Sequence, residues 1–408
     1  MRTIAGIDIG STKIVTMIAQ MDGEQIITVL GYGVAPSRGV ERGMIVNLEE
    51  ATRSVKASIT QAEQMGGYRV GSAYVSITGK HIQSFTRSGP VAISREFDGY
   101  VRQEDILRAV EIAQAEPLPA NVELLHVMPF RYTLDSQEVQ DPIGMRGYRL
   151  EVDVHIVVCD VAAIQNVIKV VQNCNVEIDD VVLQQLASAE AVLTDDDKQN
   201  GVVLVDIGSD TTGVAFVAQG ATWHTHVIPI GGHTITNDLI LTFQLNPAVA
   251  EQTKISLGEA VADPYRHKDV IELEGQRPGE PVSMSRLHFN ESIQARCDEL
   301  IEFIIYEVAH SSYMGAYNAG VVLTGGGALL RNLDILFYER FSAPIRIGTT
   351  DDVYGRIDAL NTPAYATVLG LIRWGYRHGQ GGKHSRDEES TWVDIYERFK
   401  MWLREFLP

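Results

Sequence analysis

Two stretches of this chain carry one pattern. IAGIDIGSTKIVTMIAQ starts at residue 4 and GVVLVDIGSDTTGVAFVAQG at residue 201. Each is a β-branched apolar run, then Asp-Ile-Gly-Ser, then polar residues, then a second apolar run. That order predicts a β-hairpin with a turn of small residues. Finding the unit twice predicts a duplicated α/β architecture.

The turns have the chemistry of a phosphate site. Gly10 and Gly208 let backbone N–H groups approach an anion with no Cβ in the way, Ser11, Thr12, Ser209, Thr211 and Thr212 offer hydroxyl donors, and Lys13 offers a positive charge. Asp8 and Asp206 would hold a hydrated Mg²⁺ between opposed hairpins, since Mg²⁺ keeps several waters and takes few carboxylates. One such hairpin alone reads equally well as an ordinary turn. A third glycine turn, Gly325-Gly326-Gly327 in AGVVLTGGGALLRNL, follows an apolar strand and precedes a helical pattern, as a nucleotide at a helix N-terminus requires. In VAEQTKISLG, Glu251 and Lys254 share a helix face suited to an adenine and ribose edge, or simply form a solvated ion pair.

At this point the chain resembles the actin/Hsp70/sugar-kinase superfamily. Residues 6–13 and 205–213 look like its two phosphate motifs, 321–330 like its adenosine motif, and QQLASAEAVL (184–193) and AYATVLGLIRWG (364–375) like its connecting helices. Within it, the whole chain most resembles the FtsA family of bacterial division proteins, through GVERGMIVNLEEA (39–51), VSITGKHI (75–82), HVIPIGGHTITNDL (226–239) and its C-terminal stretch. The resemblance implies an actin-like ATPase fold around an ATP and Mg²⁺ cleft. Two duplicated RNase H-like domains would carry an FtsA-type inserted subdomain and a C-terminal amphipathic helix. The expected subdomains are a first core lobe at 1–83, 161–203 and 348–376, an insert at 84–160, and a second core lobe at 204–235 and 293–347. A smaller lobe would follow at 236–292, then a flexible linker at 377–390 and the terminal helix at 391–408. Gln184 occupies the position from which relatives orient the attacking water; a glutamine orients water but is no general base at neutral pH. Asp210 stands in the second hairpin where relatives have a small residue, and is expected to add negative charge near the terminal phosphate. Both features point to nucleotide binding with at most slow hydrolysis.

The C-terminal stretch TWVDIYERFKMWLREFLP follows the glycine-rich, charged RHGQGGKHSRDEES. At about 100° per residue, Trp392, Ile395, Tyr396, Phe399, Trp402, Leu403 and Phe406 fall on one arc. Too short and too charged to span a bilayer, it reads as an interfacial membrane helix; packing onto its own domain or into a partner's groove are the competing readings. The formal net charge of −19 argues against nucleic acid as a partner, because phosphates would repel the body. Cys159, Cys174 and Cys297 have no metal or disulfide spacing, which fits a reducing cytoplasm, and no signal peptide is expected.

His224 and His226 alternate on a predicted strand near His233, with no cysteine or carboxylate in the sequence pattern to complete a zinc site. TDDDKQNG (194–201) reads as a solvated loop. The segment 265–286 is locally basic through Arg266, His267, Lys268, Arg277 and Arg286. The resemblance makes Arg277 and Arg286 candidates for binding the acidic C-terminal peptide of FtsZ. It also implies head-to-tail polymers, other divisome partners and a peripheral location on the cytoplasmic face of the bacterial membrane at the division septum. The rival readings are an actin-like pilus-assembly ATPase and a soluble small-molecule kinase of the same superfold.

Overall fold

Both Asp-x-Gly-Ser stretches form the predicted hairpins in the computed structural model, which describes residues 2–22, 26–94, 98–266, 268–275, 281–311, 317–350, 352–355 and 360–379. In the first, strands β1 (Arg2–Ile9) and β2 (Lys13–Met21) pair antiparallel from Arg2↔Met21 to Ile9↔Ile14. The chain continues through β3 (Ile27–Pro36), a short hairpin of β4 (Val40–Glu41) and β5 (Met44–Ile45), helix α1 (Leu48–Gly66) and β6 (Ser72–Ile77). Asn47 caps α1 by accepting from the backbone N–H groups of Glu49 and Glu50, and Gly67 ends it in the left-handed region.

The inserted region follows: β7 (Ile82–Ala92), α2 (Gln103–Gln114), β8 (Val122–Leu134), β9 (Gln137–Val139) and β10 (Arg149–Asp160). Its sheet has the order β7-β10-β8-β9, with α2 laid against it and a separate core around Ile106, Leu150, Val152 and Ile156. The chain returns through α3 (Val161–Gln172), β11 (Glu177–Leu183), α4 (Gln184–Val192) and α5 (Asp195–Asn200). The second half repeats the plan. It holds β12 (Val202–Ile207), β13 (Thr212–Ala218), β14 (Ala221–Ile228), α6 (Gly232–Phe243), α7 (Pro247–Leu257), β15 (Val270–Glu274) and β16 (Pro281–Ser285). Then come α8 (Arg286–Ala309), β17 (Gly320–Thr324), α9 (Leu333–Phe341), β18 (Ile345–Ile347), β19 (Val353–Tyr354) and α10 (Ala366–His378).

The duplication is explicit in the topology. The first sheet runs β11-β6-β1-β2-β3-β19 and the second β14-β13-β12-β17-β18. In each, an antiparallel meander of three strands is extended by parallel strands beside its first member. Helix α4 lies against strands of both sheets and is buried over nearly its whole surface, which explains why its residues show no polar face. The sheet-one core accordingly runs on into Leu204, Ala215 and Val322 of the second sheet.

TDDDKQNG departs from the expected loop. Its aspartates occupy the first turn of α5, where negative charge suits the exposed N–H groups. Thr194 and Asp197 cap one another, and Lys198 reaches Glu190 at 3.2 Å. The Gly325–Gly327 turn opens a 3₁₀ turn over Gly326–Leu329 before α9, rather than α9 directly. No helix among the described residues is long and apolar enough to cross a membrane. The expected membrane arc, Trp392 to Phe406, and Arg277 lie outside the described residues.

Helices α4 and α10 meet backbone to backbone, because a Cβ on Gly370 would lie 1.7 Å from the Ala187 carbonyl oxygen. Gly370→Ala should therefore cost about 3 kcal/mol by forcing the helices apart. Gly71→Ala, with nothing within 4 Å of the new methyl, should cost little. Urea unfolding of both variants measures the difference.

Candidate functional site

The hairpin turns close by equivalent bonds: Gly10 N–H donates to the Lys13 carbonyl at 3.2 Å, and Gly208 N–H to that of Thr211 at 2.9 Å. Just before each turn stands the aspartate. Asp8 accepts from the Ser76 hydroxyl at 2.7 Å, and that same oxygen accepts from the Ile9 N–H, so the end of β6 fixes the carboxylate. Asp206 is buried and accepts from Ser188 at 2.5 Å and Gln184 at 3.2 Å, both on α4, while its Oδ1 has no hydrogen-bond partner.

The two carboxylates feel each other. Burial pushes Asp8 up to about 6; the charge of Asp206 adds to the rise, while Ser76 and Lys13 oppose it. Burial also raises Asp206, against the bonds from Ser188 and Gln184. Lys13 is lowered by its own burial, with Asp8 pulling the other way, and its ammonium sits 3.7 Å from the centre of the Tyr365 ring.

The third turn crosses directly over the second hairpin. Gly325 has φ +81°, and a Cβ there would meet Asp206 Oδ1 at 2.4 Å. One on Gly327 would strike Ile207 Cγ2 at 2.3 Å, whereas one on Gly326 would meet nothing within 4 Å. Gly326 thus faces open space between two crowded neighbours. Lys254 approaches from α7, donating to the Gly232 carbonyl at 2.9 Å, Thr236 at 2.8 Å and Glu251 at 2.7 Å. Gly232 N–H donates to the Gly208 carbonyl at 3.0 Å, which joins this cluster to the second hairpin. The structure therefore gathers Asp206, Gly208, Glu251, Lys254 and Gly325–Gly327 on one side, with Asp8 of the first hairpin, which also carries Gly10 and Lys13, in electrostatic reach of Asp206.

Several hydroxyls are already committed. Thr212 is buried and donates to the Ile230 carbonyl at 2.8 Å. Ser11 accepts from the Gly43 N–H at 3.1 Å, Thr211 is buried, and Thr12 is exposed. Ser209 offers its carbonyl to the His233 N–H at 2.6 Å. Asp210 accepts from the Arg42 N–H at 2.9 Å and lies 3.2 Å from His233 Nδ1. Arg286 is mostly buried, donating to Glu259 at 3.0 Å with Asp269 at 3.6 Å, so it is ion-paired within its own lobe.

Sequence reasoning missed Ser76, Ser188 and Tyr365. Ser188 had a signal, standing four residues after Gln184 on one helix face; Ser76 and Tyr365 had none. The carboxylate missing from the histidine strand is Glu307 of α8, at 3.5 Å from His224 and 3.4 Å from His226. Among the described residues no cluster of His, Cys, Asp and Glu has the geometry of a metal site.

Comparison with known proteins fits this arrangement. The family described as cell division protein FtsA matches residues 203–370, and the SHS2 domain inserted in FtsA matches 79–158. Cell division protein FtsA of Pseudomonas aeruginosa is 38% identical, with 99% of this chain and 98% of that protein covered. The Escherichia coli K12 protein of that name is 31% identical over the same shares. Among solved structures, the PilM–PilN type IV pilus biogenesis complex aligns over 91% of this chain and 98% of that one, with TM-score 0.63 and 15% identity. MreB5 of Spiroplasma citri bound to ADP aligns over 92% and 96%, with TM-score 0.55 and 13% identity. These likenesses show the actin-like fold.

The raised Asp8 carries a signed consequence. A carboxyl at about 6 when folded and 3.8 when unfolded holds its proton more tightly in the native chain. Its stabilising contribution is complete below 3.8 and is lost as pH rises through about 6. Without nucleotide or divalent cation, Asp8→Asn should gain stability over the parent by on the order of 2 kcal/mol between pH 4 and pH 7. Urea titrations at the two pH values check it.

Proposed function

Because the chain belongs to the FtsA family of cell-division proteins, we propose that it binds ATP with Mg²⁺ between its two hairpins and tethers FtsZ filaments to the membrane. The observation that carries the nucleotide reading is the facing pair Asp8 and Asp206. Both are disfavoured as anions, each beside an amide-lined turn, and Asp206 has an orphaned oxygen. A hydrated Mg²⁺ would relieve their repulsion and satisfy that oxygen through water. When bound, the ion supplies charge neutralisation for the phosphates. Gly10 and Gly208 would close tight turns beside the phosphates, since a Cβ at either meets the turn's own carbonyl at 2.8 or 2.9 Å, and Gly326 leaves open space for the adenosine near Glu251 and Lys254. Gln184 holds Asp206 and would present an amide to water without removing its proton, which supports slow turnover at most.

The adaptor role rests on family membership across the full chain and on the apolar arc Trp392–Phe406. The lobe 236–292, with Arg277 and Arg286, would take the acidic FtsZ peptide, the chain would polymerise head to tail, and the tail would lie in the cytoplasmic face of the membrane at the septum. A single tail of this size attaches reversibly. Polymerisation would make it hold, because each later tail binds at high effective concentration.

Gly326→Asp tests the nucleotide site with the fold left intact, since its side chain enters open space. The expected result is an unchanged melting temperature and at least tenfold weaker Mg·ATP binding by calorimetry; unchanged affinity would remove the glycine turn from the site. For the tether, Trp402→Glu places a charge in the apolar arc, where desolvation is costly. It should abolish co-sedimentation with anionic liposomes and recruitment of FtsZ to them, while FtsZ-peptide binding persists. FtsZ still arriving at lipid would place the membrane contact elsewhere.

A further inference from the structure

Asp210 of the second hairpin divides its carboxylate between two partners. Its Oδ2 accepts the Arg42 N–H at 2.9 Å, from the other half of the molecule, and its Oδ1 lies 3.2 Å from His233 Nδ1. Arg42 and Gly43 form the two-residue turn between β4 and β5, with φ +50° and +74°. The next amide, Gly43 N–H, donates to Ser11 of the first hairpin at 3.1 Å. The tip of one short hairpin thus touches both Asp-x-Gly-Ser turns.

This tip is built not to yield. Val46 and Asn47 both donate to the Gly39 carbonyl, and Asn47 caps α1, so the base of the hairpin is tied to a long helix. Gly43 sits so close to the end of β6 that a Cβ would meet the Thr78 carbonyl at 2.4 Å. On the far side, His233 is held through its own N–H to the Ser209 carbonyl.

We propose that Asp210 and the Arg42–Gly43 tip form a latch across the mouth of the nucleotide site, setting how long a bound nucleoside triphosphate stays. The proposal rests on the nucleotide reading above. Asp210 is a positioning residue here: it acts on the hairpin and not on the ligand. Opening the site requires breaking a charge-assisted hydrogen bond between a carboxylate and an amide held on a stiff element, and the cost appears in the dissociation rate.

The test is stopped-flow release of a fluorescent ATP analogue, loaded with Mg²⁺ and chased with excess ATP, on the full chain. Asp210→Ala should speed release about tenfold, the effect of losing roughly 1.4 kcal/mol. Asp210→Asn keeps an acceptor oxygen and should stay within about threefold of the parent. Gly43→Ala, which displaces the tip but leaves the carboxylate, should speed release as Asp210→Ala does, and it carries the test if Asp210→Ala melts early. Parent-like release from both Asp210→Ala and Gly43→Ala, with the parent binding normally, overturns the latch alone. A parent that binds no analogue overturns the nucleotide reading and the latch with it.

Discussion

The buried carboxylate of Asp206 ties the second half of the chain together. It ends β12, takes hydrogen bonds from the first two turns of α4, and lies beneath the glycine turn that follows β17. Removing it would strip Gln184 of its acceptor, leave Ser188 with Thr367 at 3.1 Å, and loosen the helix that lies against both sheets. A buried carboxyl with one unsatisfied oxygen is expensive for a fold that gains nothing from it. On the nucleotide reading proposed above, that structural cost is accepted for a ligand.

How much was legible follows from the kind of force involved. The hairpins and the insert's long strands could be read because apolar periodicity reports burial, whereas α4, buried all round, was placed only by the family resemblance. Gln184 was placed at the site only through the family resemblance, since its neighbour Gln185 is the same residue type. One side chain serves Asp206 and the other is fully buried, donating to the His226 carbonyl at 3.2 Å, and only the helix's rotation decides between them. Thr212 and Arg286 look like ligand-binding residues by type and position, and each also has a local partner that no sequence pattern reports, the Ile230 carbonyl and Glu259. The aspartates of 195–197 were misread because three acidic residues signal solvent, while at a capped helix start they signal the first turn. Asp210 was expected to add negative charge near the terminal phosphate; its carboxylate also meets His233 and, from the chain's first half, the Arg42 N–H, a contact at a distance in sequence that no local pattern reports.

The insert is joined to the second sheet both by Phe130, which packs 4.6 Å from Trp223 in the core of the second half, and by short polar contacts. Ser84 donates to the Thr225 carbonyl at 2.6 Å, and His155 lies 2.9 Å from the Thr225 hydroxyl. Burial, with His224 and His126 nearby, pushes His155 down to about 3, so it stays neutral through the physiological range. On the other flank the Leu183 N–H donates to His126 at 3.0 Å, which fixes the insert against the strand leading into α4. The insert therefore reports on the same helix that carries Gln184 and Ser188.

The placement of α10 has a mechanical meaning. Any load carried by residues beyond Gly379 enters the body through this helix. Arg2 of the first strand donates to the Gly375 carbonyl at 3.3 Å, Trp374 to Asp180 at 3.2 Å, and Arg373 to the Glu190 and Ala191 carbonyls at 3.0 and 3.2 Å. Along its length the helix is wedged against α4 with no side chain between the backbones at Gly370. A pull on its end is thus shared among two helices and the edge of a sheet, loading them in shear, where many bonds must fail together, rather than peeling one strand at a time.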